Sequence, residues 1–296
     1  MSMPSRFEHT LGADLGGSKL LLCYRDQRQT LPTGPGFDAA ALEVALRRFV
    51  QTQDLPPRRL GLAIPGLLDE RQAISACDVL PGVVGWHAAS ALADLLPACW
   101  LVNDAKAALH ASTADLPPGS TAATVMVGTA VGCGLLADGQ LLRGAQGWAG
   151  ELGYWPVRQG QGQGWRRLDE LAGGGYIAAA LGTDGPGLRA RADAGEPQAL
   201  ALIQQGGEAL GAALAGLVNL LNPRRLALGG GTLRLPGYLP ALRQSLQALA
   251  LPALLQDCEL LELAHVDDLV AQGAALLAEQ QAQKRAQQQP ASRPQG

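Results

Sequence analysis

No two cysteines in this chain stand at the Cys-x-x-Cys spacing of a metal or redox site. The five present, Cys23, Cys77, Cys99, Cys133 and Cys258, are scattered singly. Four of them fall inside apolar stretches, where a buried thiol behaves as a small hydrophobe. This argues against a disulfide framework and a cysteine-based metal site, and it points to a reduced, cytoplasmic protein. A secretory leader is missing as well: the first residues, MSMPSRFEHT, hold no apolar core. No apolar run reaches the length that spans a bilayer. Nor is there a basic patch. The formal net charge is −3, and the pairs Arg47-Arg48, Arg58-Arg59, Arg166-Arg167 and Arg224-Arg225 are dispersed, as solvated or helix-end charges are. Neither nucleic acid nor an anionic membrane is therefore expected as a partner. Aromatic residues are few, 4% of the chain.

Glycine, by contrast, is abundant, with 38 residues that gather at strand ends rather than in repeats. Such a distribution fits an α/β protein whose backbone comes close to a ligand, although a GC-rich genome enriches the same residue. With 296 residues the chain can bury one large core or two medium ones. Residues 10–14 and Lys19 to Cys23 read as two strands joined at Gly16-Gly17. A helix is expected over 39–53, with Leu42, Leu46, Phe49 and Val50 on one face. Leu60 to Ile64 and Trp100 to Val102 read as buried strands, the second running into Asn103-Asp104 and a helix. Thr121 to Val127 and Gly134 to Ala137 follow, with Asp138-Gly139 as a hairpin turn. A long amphipathic helix over 198–221 stops at Asn222-Pro223, and the strand Leu226 to Leu228 leads into Gly229-Gly230-Gly231. A helix over 237–250, a strand over 258–264 and a helix from 268 complete the pattern. The polar tail from Gln280 is expected to be disordered. The expected division is a small domain over 9–112, a larger one over 113–279 whose last helix packs back on the first, and the tail over 280–296.

Five places carry chemistry. Asp14-Leu15-Gly16-Gly17-Ser18-Lys19 is a glycine turn whose backbone N–H groups could face a phosphate, with Asp14 holding hydrated Mg2+ and Lys19 adding charge. Val127 to Gly134 repeats the device, with Gly128, Thr129 and Gly132 in the loop. Gly230 and Gly231 leave room for a flat adenine ring. Each of the three fits a plain turn equally well when taken alone; two phosphate loops, one opening each half of the chain, are stronger together. Asn103-Asp104 at a helix start fits an N-cap, or a carboxylate that takes a hydroxyl proton beside a group that positions other hydroxyls. Glu151 sits among glycines and aromatics (Trp148, Tyr154, Trp155), where it could cradle a polyol or simply lie on a surface loop.

In this order the motifs resemble the ROK family of bacterial sugar kinases and repressors, over about residues 10–278. The matching segments are ADLGGSK, IPGLLDE, LPG…GWH, VNDAKAAL, Met126 to Gly153, and NLLNPRRLALGGG. The resemblance implies an actin-like (ribonuclease H-like) α/β fold of two domains around a nucleotide and sugar cleft, and ATP-dependent phosphorylation of a hexose or N-acetylhexosamine, glucokinase-like in type. It implies Asp104 as catalytic base, Asn103, Glu151, Asp169, Gly66 and Tyr154 at the sugar, and ATP with Mg2+ on Asp14, Gly16, Gly17, Ser18, Lys19, Gly128, Thr129, Gly132, Gly230 and Gly231. A homodimer is expected on the same basis. A DNA-binding domain is not, because the first phosphate strand begins near residue 10.

The chain departs from the family at two points. Tyr154 stands where the family has a zinc- and sugar-binding histidine, and Arg158 to Arg167 replaces a cysteine cluster with Gln and Gly. No zinc is expected, because tetrahedral zinc needs thiolate or imidazole donors. The family glutamate after that cluster corresponds to Asp169, or to Glu170 with a shift of one. These losses keep open an alternative, a catalytically silent sugar-binding or sensor protein. Retention of Asp104 and both loops argues for the kinase.

Overall fold

The structure is a computed structural model that describes residues 8–158, 164–264 and 266–288. The chain divides into two units, one comprising residues up to Ala111 and from Asp267 onward, the other Ser112–Val266.

In the first unit β1 (Thr10–Leu15) turns back through β2 (Lys19–Tyr24) and β3 (Gln27–Pro32) as an antiparallel meander. Helix α1 (Ala39–Gln51) leads to β4 (Arg59–Ile64), parallel to β1. The small hairpin β5 (Leu67–Leu68) and β6 (Ile74–Ala76) and helix α2 (Ala88–Ala91) precede β7 (Ala98–Asn103), parallel to β4 and followed by α3 (Asp104–Ser112). The sheet order is β3-β2-β1-β4-β7. Asp38 starts α1, its Oδ1 accepting the Ala41 N–H at 2.8 Å. Leu42, Leu46, Phe49 and Val50 recur at helical spacing and bury one face of α1 with Leu11, Leu15, Leu60 and Leu62. Each such side chain contributes about 1.5–3 kcal/mol over leaving it in water.

The second unit repeats the plan. β8 (Ala122–Val127), β9 (Val131–Ala137) and β10 (Gln140–Leu141) form the meander. Its last turn is Asp138-Gly139, with φ of +48° and +73°, the paired left-handed conformation of a two-residue hairpin. Then come the hairpin β11 (Pro156–Arg158) and β12 (Trp165–Arg167) and the helices α4 (Asp169–Ala172), α5 (Gly174–Ala180), α6 (Gly185–Asp193) and α7 (Pro197–Leu221). β13 (Arg225–Gly229) lies parallel to β8, and beyond α8 (Tyr238–Leu249) and α9 (Pro252–Gln256) the strand β14 (Glu259–Glu262) lies parallel to β13. The order is β10-β9-β8-β13-β14. Asn222 ends α7 with φ of +44° and Pro223 follows, so the helix cannot continue. α7 and α8 meet through glycine: a Cβ on Gly207 would lie 2.3 Å from the Tyr238 carbonyl oxygen, and one on Gly211 2.3 Å from that of Leu242.

The last helix, α10 (Val266–Gln288), belongs to the first unit from Asp267 onward. It packs on the sheet face opposite α1, where Ala271 and Ala275 are buried with Leu21 and Cys23. Here too glycine sets the distance. A Cβ on Gly61 would lie 2.0 Å from the Ala274 oxygen, and one on Gly273 1.8 Å from the Ala107 oxygen. Glu279 accepts from Thr10 and from Arg59, the latter at 3.0 Å. Residues 280–288, expected in a disordered tail, are helical instead; Gln, Ala, Lys and Arg are good helix formers that extend a docked helix. Residues 289–296 of that expected tail lie outside the described residues.

One basic pair also differs from expectation. Arg225, read as a solvated charge, is buried on β13, bidentate to Asp115 at 2.6 and 2.9 Å and 2.8 Å from Glu259. Its guanidinium also donates to the Ser112 carbonyl, which ties the start of the second unit to that unit's own sheet. Among the described residues no helix is long and apolar enough to cross a membrane.

Candidate active site

In the first unit the chemistry-bearing residues stand at the carboxyl ends of parallel strands, where open α/β sheets bind ligands. Asp14 lies near the end of β1, paired with Ala63 of β4, and Ala63 pairs in turn with Val102 of β7. One residue beyond Val102 comes Asn103, then Asp104. Leu11, Ala13 and Leu15 point into the α1 core, so Asp14 projects from the other face, half-buried.

Asn103 caps α3. Its Oδ1 accepts the N–H of Ala105 at 3.1 Å and of Lys106 at 3.4 Å, while Nδ2 donates to the Gly66 carbonyl at 3.3 Å. A sugar hydroxyl could be met only by the remaining N–H of Nδ2. Asp104 is the first residue of α3, half-buried, and its Oδ1 also accepts the Ala105 N–H, at 2.8 Å. At a helix N-terminus the aligned peptide dipoles favour the ionised form, which is the form a proton acceptor needs. Gly66 has an internal reason to be glycine: a Cβ there would lie 2.3 Å from the Ala76 carbonyl oxygen.

The turn after β1 closes on itself, with Gly16 N–H donating to the Lys19 carbonyl at 2.8 Å. Thr33 supports it, Oγ1 donating to the Gly16 carbonyl at 2.6 Å and its N–H to the Ser18 carbonyl at 3.0 Å. In the second unit the Gly128 N–H likewise closes its turn onto the Ala130 carbonyl at 3.0 Å. The N–H groups of Gly17, Ser18, Thr129 and Ala130 make no backbone bond among the described residues, and all four residues are exposed. Gly128 has an ordinary φ and open space where a Cβ would be, so nothing in the chain itself requires glycine there.

The carbonyls of this second loop are held from behind. Gly174 N–H donates to Gly128 O at 2.8 Å, Gly175 N–H to Thr129 O at 3.0 Å, and Thr232 Oγ1 to Gly128 O at 2.9 Å. Asp169 belongs to the same support. It is 7% exposed, its Oδ1 accepts the Val131 N–H at 2.6 Å, and burial raises its pKa. A Cβ on Gly153 would lie 2.4 Å from that carboxylate. Asp169, which the resemblance implies as a sugar ligand, thus joins the loop strand to the turn after Glu151. Glu170, the alternative, is bonded to Arg166 and Arg167.

Glu151 itself is exposed. Gly150, with φ of +101°, packs where a Cβ would lie 2.1 Å from the Cys133 carbonyl, which fixes the turn that presents Glu151. Glu151 and burial push the Cys133 thiol, burial foremost, up to about 12. Gly230 is also explained internally: φ is +114° and a Cβ would lie 2.2 Å from the Val127 carbonyl. Gly231 borders open space. Gly132 lies on β9 opposite Met126. Lys19 opens β2, half-buried.

Tyr154, 59% exposed, is covered by a guanidinium, with Arg167 4.9 Å from its ring centre. The side chains around it, from Arg158, Trp165, Arg166 and Arg167, offer no thiolate or imidazole, so this donor set does not fit zinc. Residues 159–163, part of the segment that replaces the cysteine cluster, lie outside the described residues. Sequence reasoning missed Thr33, Thr232, Gly174-Gly175 and Arg167. Only the glycine run 173–175, just after Asp169, left a visible signal.

Comparison with known proteins identifies relatives of the whole chain. N-acetylmannosamine kinase from Citrobacter koseri is 32% identical over 259 residues, covering 80% of this chain and 88% of that protein. The enzyme of the same name from Salmonella typhi is 30% identical over 253 residues, 79% and 87% of the two chains. A ROK hexokinase from Thermus thermophilus superposes with a TM-score of 0.73 at 27% identity, over 93% of this chain and 99% of that one. A ROK glucokinase from Streptomyces griseus, solved with glucose and AMPPNP, shares the fold at a TM-score of 0.73 and 20% identity, over 92% and 99%. The fold is that of the actin-like ATPases. With the ROK family model matching residues 10–281, the chain belongs to the ROK family.

Proposed function

We propose that this chain transfers the γ-phosphoryl group of ATP to the primary hydroxyl of an N-acetylhexosamine, N-acetylmannosamine foremost. That it is an ATP-dependent sugar kinase follows from the family and the relatives together. The motifs alone favour a glucokinase-like acceptor. Relatives that are 30–32% identical across about four-fifths of the chain move the proposal to the acetylated amino sugar.

The observation that carries the mechanism is the half-buried carboxylate of Asp104 at the first residue of α3, beside Asn103, which accepts the Ala105 and Lys106 N–H groups. Asp104 accepts the proton of the sugar's primary hydroxyl as that oxygen bonds to the γ-phosphorus and the bond to ADP breaks. In the first unit the N–H groups of Gly17 and Ser18, with Lys19, bind phosphate oxygens. In the second unit those of Thr129 and Ala130 do so, held by Gly174, Gly175 and Thr232. Glu151 accepts hydrogen bonds from sugar hydroxyls. Mg2+, when bound, neutralises charge on the transferring phosphates, and Asp14, a hard oxygen donor at a strand end, is the group that would hold it. Such a kinase works where ATP is made, in the cytoplasm.

The test is ADP release with Mg-ATP across glucose, mannose, fructose, N-acetylglucosamine and N-acetylmannosamine. The highest kcat/KM is expected with N-acetylmannosamine. A higher kcat/KM for glucose would return the acceptor to a plain hexose. No turnover with any sugar would contradict the kinase assignment.

A further inference from the structure

The Arg167 side chain touches both the glutamate turn, through Tyr154, and the helix behind the phosphate loop, through Tyr176. It ends β12 opposite Pro156. Its guanidinium lies 4.9 Å from the ring centre of Tyr154 and 6.0 Å from that of Tyr176, and it donates to the Tyr176 hydroxyl at 3.1 Å. Nε donates to Glu170 at 3.3 Å, and this bond fixes the plane of the fork.

Each ring belongs to a different part of the site. Tyr154 closes the turn that presents Glu151, its N–H donating to the Glu151 carbonyl at 3.1 Å. Tyr176 lies on α5, whose first N–H groups hold the Gly128 and Thr129 carbonyls. The inner side of the glutamate turn is already fixed by Gly150 on Cys133 and Gly153 on Asp169. Its outer side has Tyr154 as its contact, and Tyr154 rests on Arg167. A planar cation between two rings resists sliding in a way that a point charge does not.

We infer that Arg167 is a positioning residue that couples the sugar-binding turn to the nucleotide loop within this unit. The inference rests on the reading of Glu151 as a sugar ligand. Arg167 touches neither substrate; it sets where Glu151 and the loop at 128–130 stand relative to each other.

The test compares Arg167→Ala, Arg167→Lys, Tyr154→Ala, the double variant Arg167→Ala/Tyr154→Ala, Arg166→Ala as a charge-matched control, and Glu151→Gln. KM for N-acetylmannosamine and for ATP, kcat and Tm are measured for each. Arg167→Ala is expected to raise both KM values by about two- to fivefold, in keeping with one solvent-exposed cation–ring contact, while kcat changes by less than about twofold. Arg167→Lys keeps the charge and should recover part of that rise. The double variant should be no worse than Tyr154→Ala alone, because both remove one coupling. Unchanged KM values in Arg167→Ala, whatever its Tm, would overturn the inference, as would an equal rise in Arg166→Ala. If Glu151→Gln raises the sugar KM but Arg167→Ala does not, the coupling falls and the glutamate reading stands. If Glu151→Gln leaves that KM unchanged, the glutamate reading fails and the coupling falls with it.

Discussion

The two units share one strand plan, a three-stranded meander continued by two parallel strands, and they differ in where they place their candidate functional groups. The first unit puts its carboxylates on the sheet itself, Asp14 near the end of β1 and Asp104 just past β7. The second puts Glu151 in the long insertion between β10 and β13. Strand ends are rigid, fixed by the ladder on either side, and suit a group that must meet a reacting atom within a fraction of an ångström. An insertion can be rebuilt without disturbing the sheet, which suits a group that recognises substrate. The departures from the family pattern, at Tyr154 and Arg158 to Arg167, all fall in the insertion.

The largest expected effect tests whether the units are equally intolerant of added volume where a glycine meets a helix backbone. Gly61→Val drives a side chain into the backbone of α10, and Gly211→Val drives one into α8. Each should cost about 3 kcal/mol or more in urea unfolding, since neither backbone can yield without undocking a helix. A loss below 1 kcal/mol in either would show that its helix repacks freely. Next, Asp169→Ala removes the acceptor of the buried Val131 N–H. A loss of about 1–3 kcal/mol of stability is expected, with a raised KM for ATP, because the β9 end of the loop is freed. A change in sugar KM alone would mean that Asp169 contacts the sugar after all. Glu151→Gln should raise the sugar KM by about tenfold, the scale of one hydrogen bond to a charged group, with little change in stability.

The smallest effect concerns His110 in the first unit. Its Nε2 is buried with no hydrogen-bond partner among the described residues, and burial, followed by the charge of Lys284, lowers its pKa to about 4 from 6.5. The unfolded chain therefore binds the extra proton first. Stability should be full above pH 6.5 and fall as pH drops from 6.5 towards 4. His110→Gln should flatten the fall in Tm between pH 7 and pH 5; an unchanged fall would place the titrating group elsewhere.

What could be read from the sequence tracks how local the physics is. Leu42, Leu46, Phe49 and Val50, the Asp138-Gly139 turn and the Asn222-Pro223 stop act within a few residues, and the structure has each where the pattern put it. β3 went unread because QRQTLP is a largely exposed strand without apolar alternation. α6, with GPGLRARAD, buries only Leu188 and Ala192. At the candidate site, the residue types were visible and their bonds were not. The Asn-Asp pair does not reveal that both side chains accept the Ala105 N–H while Asn103 also reaches the Gly66 carbonyl. The inward turn of Asp169 depends on an N–H 38 residues away. Arg225 reads as a surface charge until Asp115, Glu259 and the Ser112 carbonyl converge on it.

The division between a chemical unit and a recognition unit is tested most directly by the kcat of Asp104→Asn, measured at saturating ATP and N-acetylmannosamine. Loss of about 10²–10⁴-fold is expected, the usual contribution of a general base, with the sugar KM within about threefold of wild type. Turnover within threefold of wild type would contradict it, since the proton would then be leaving by another route.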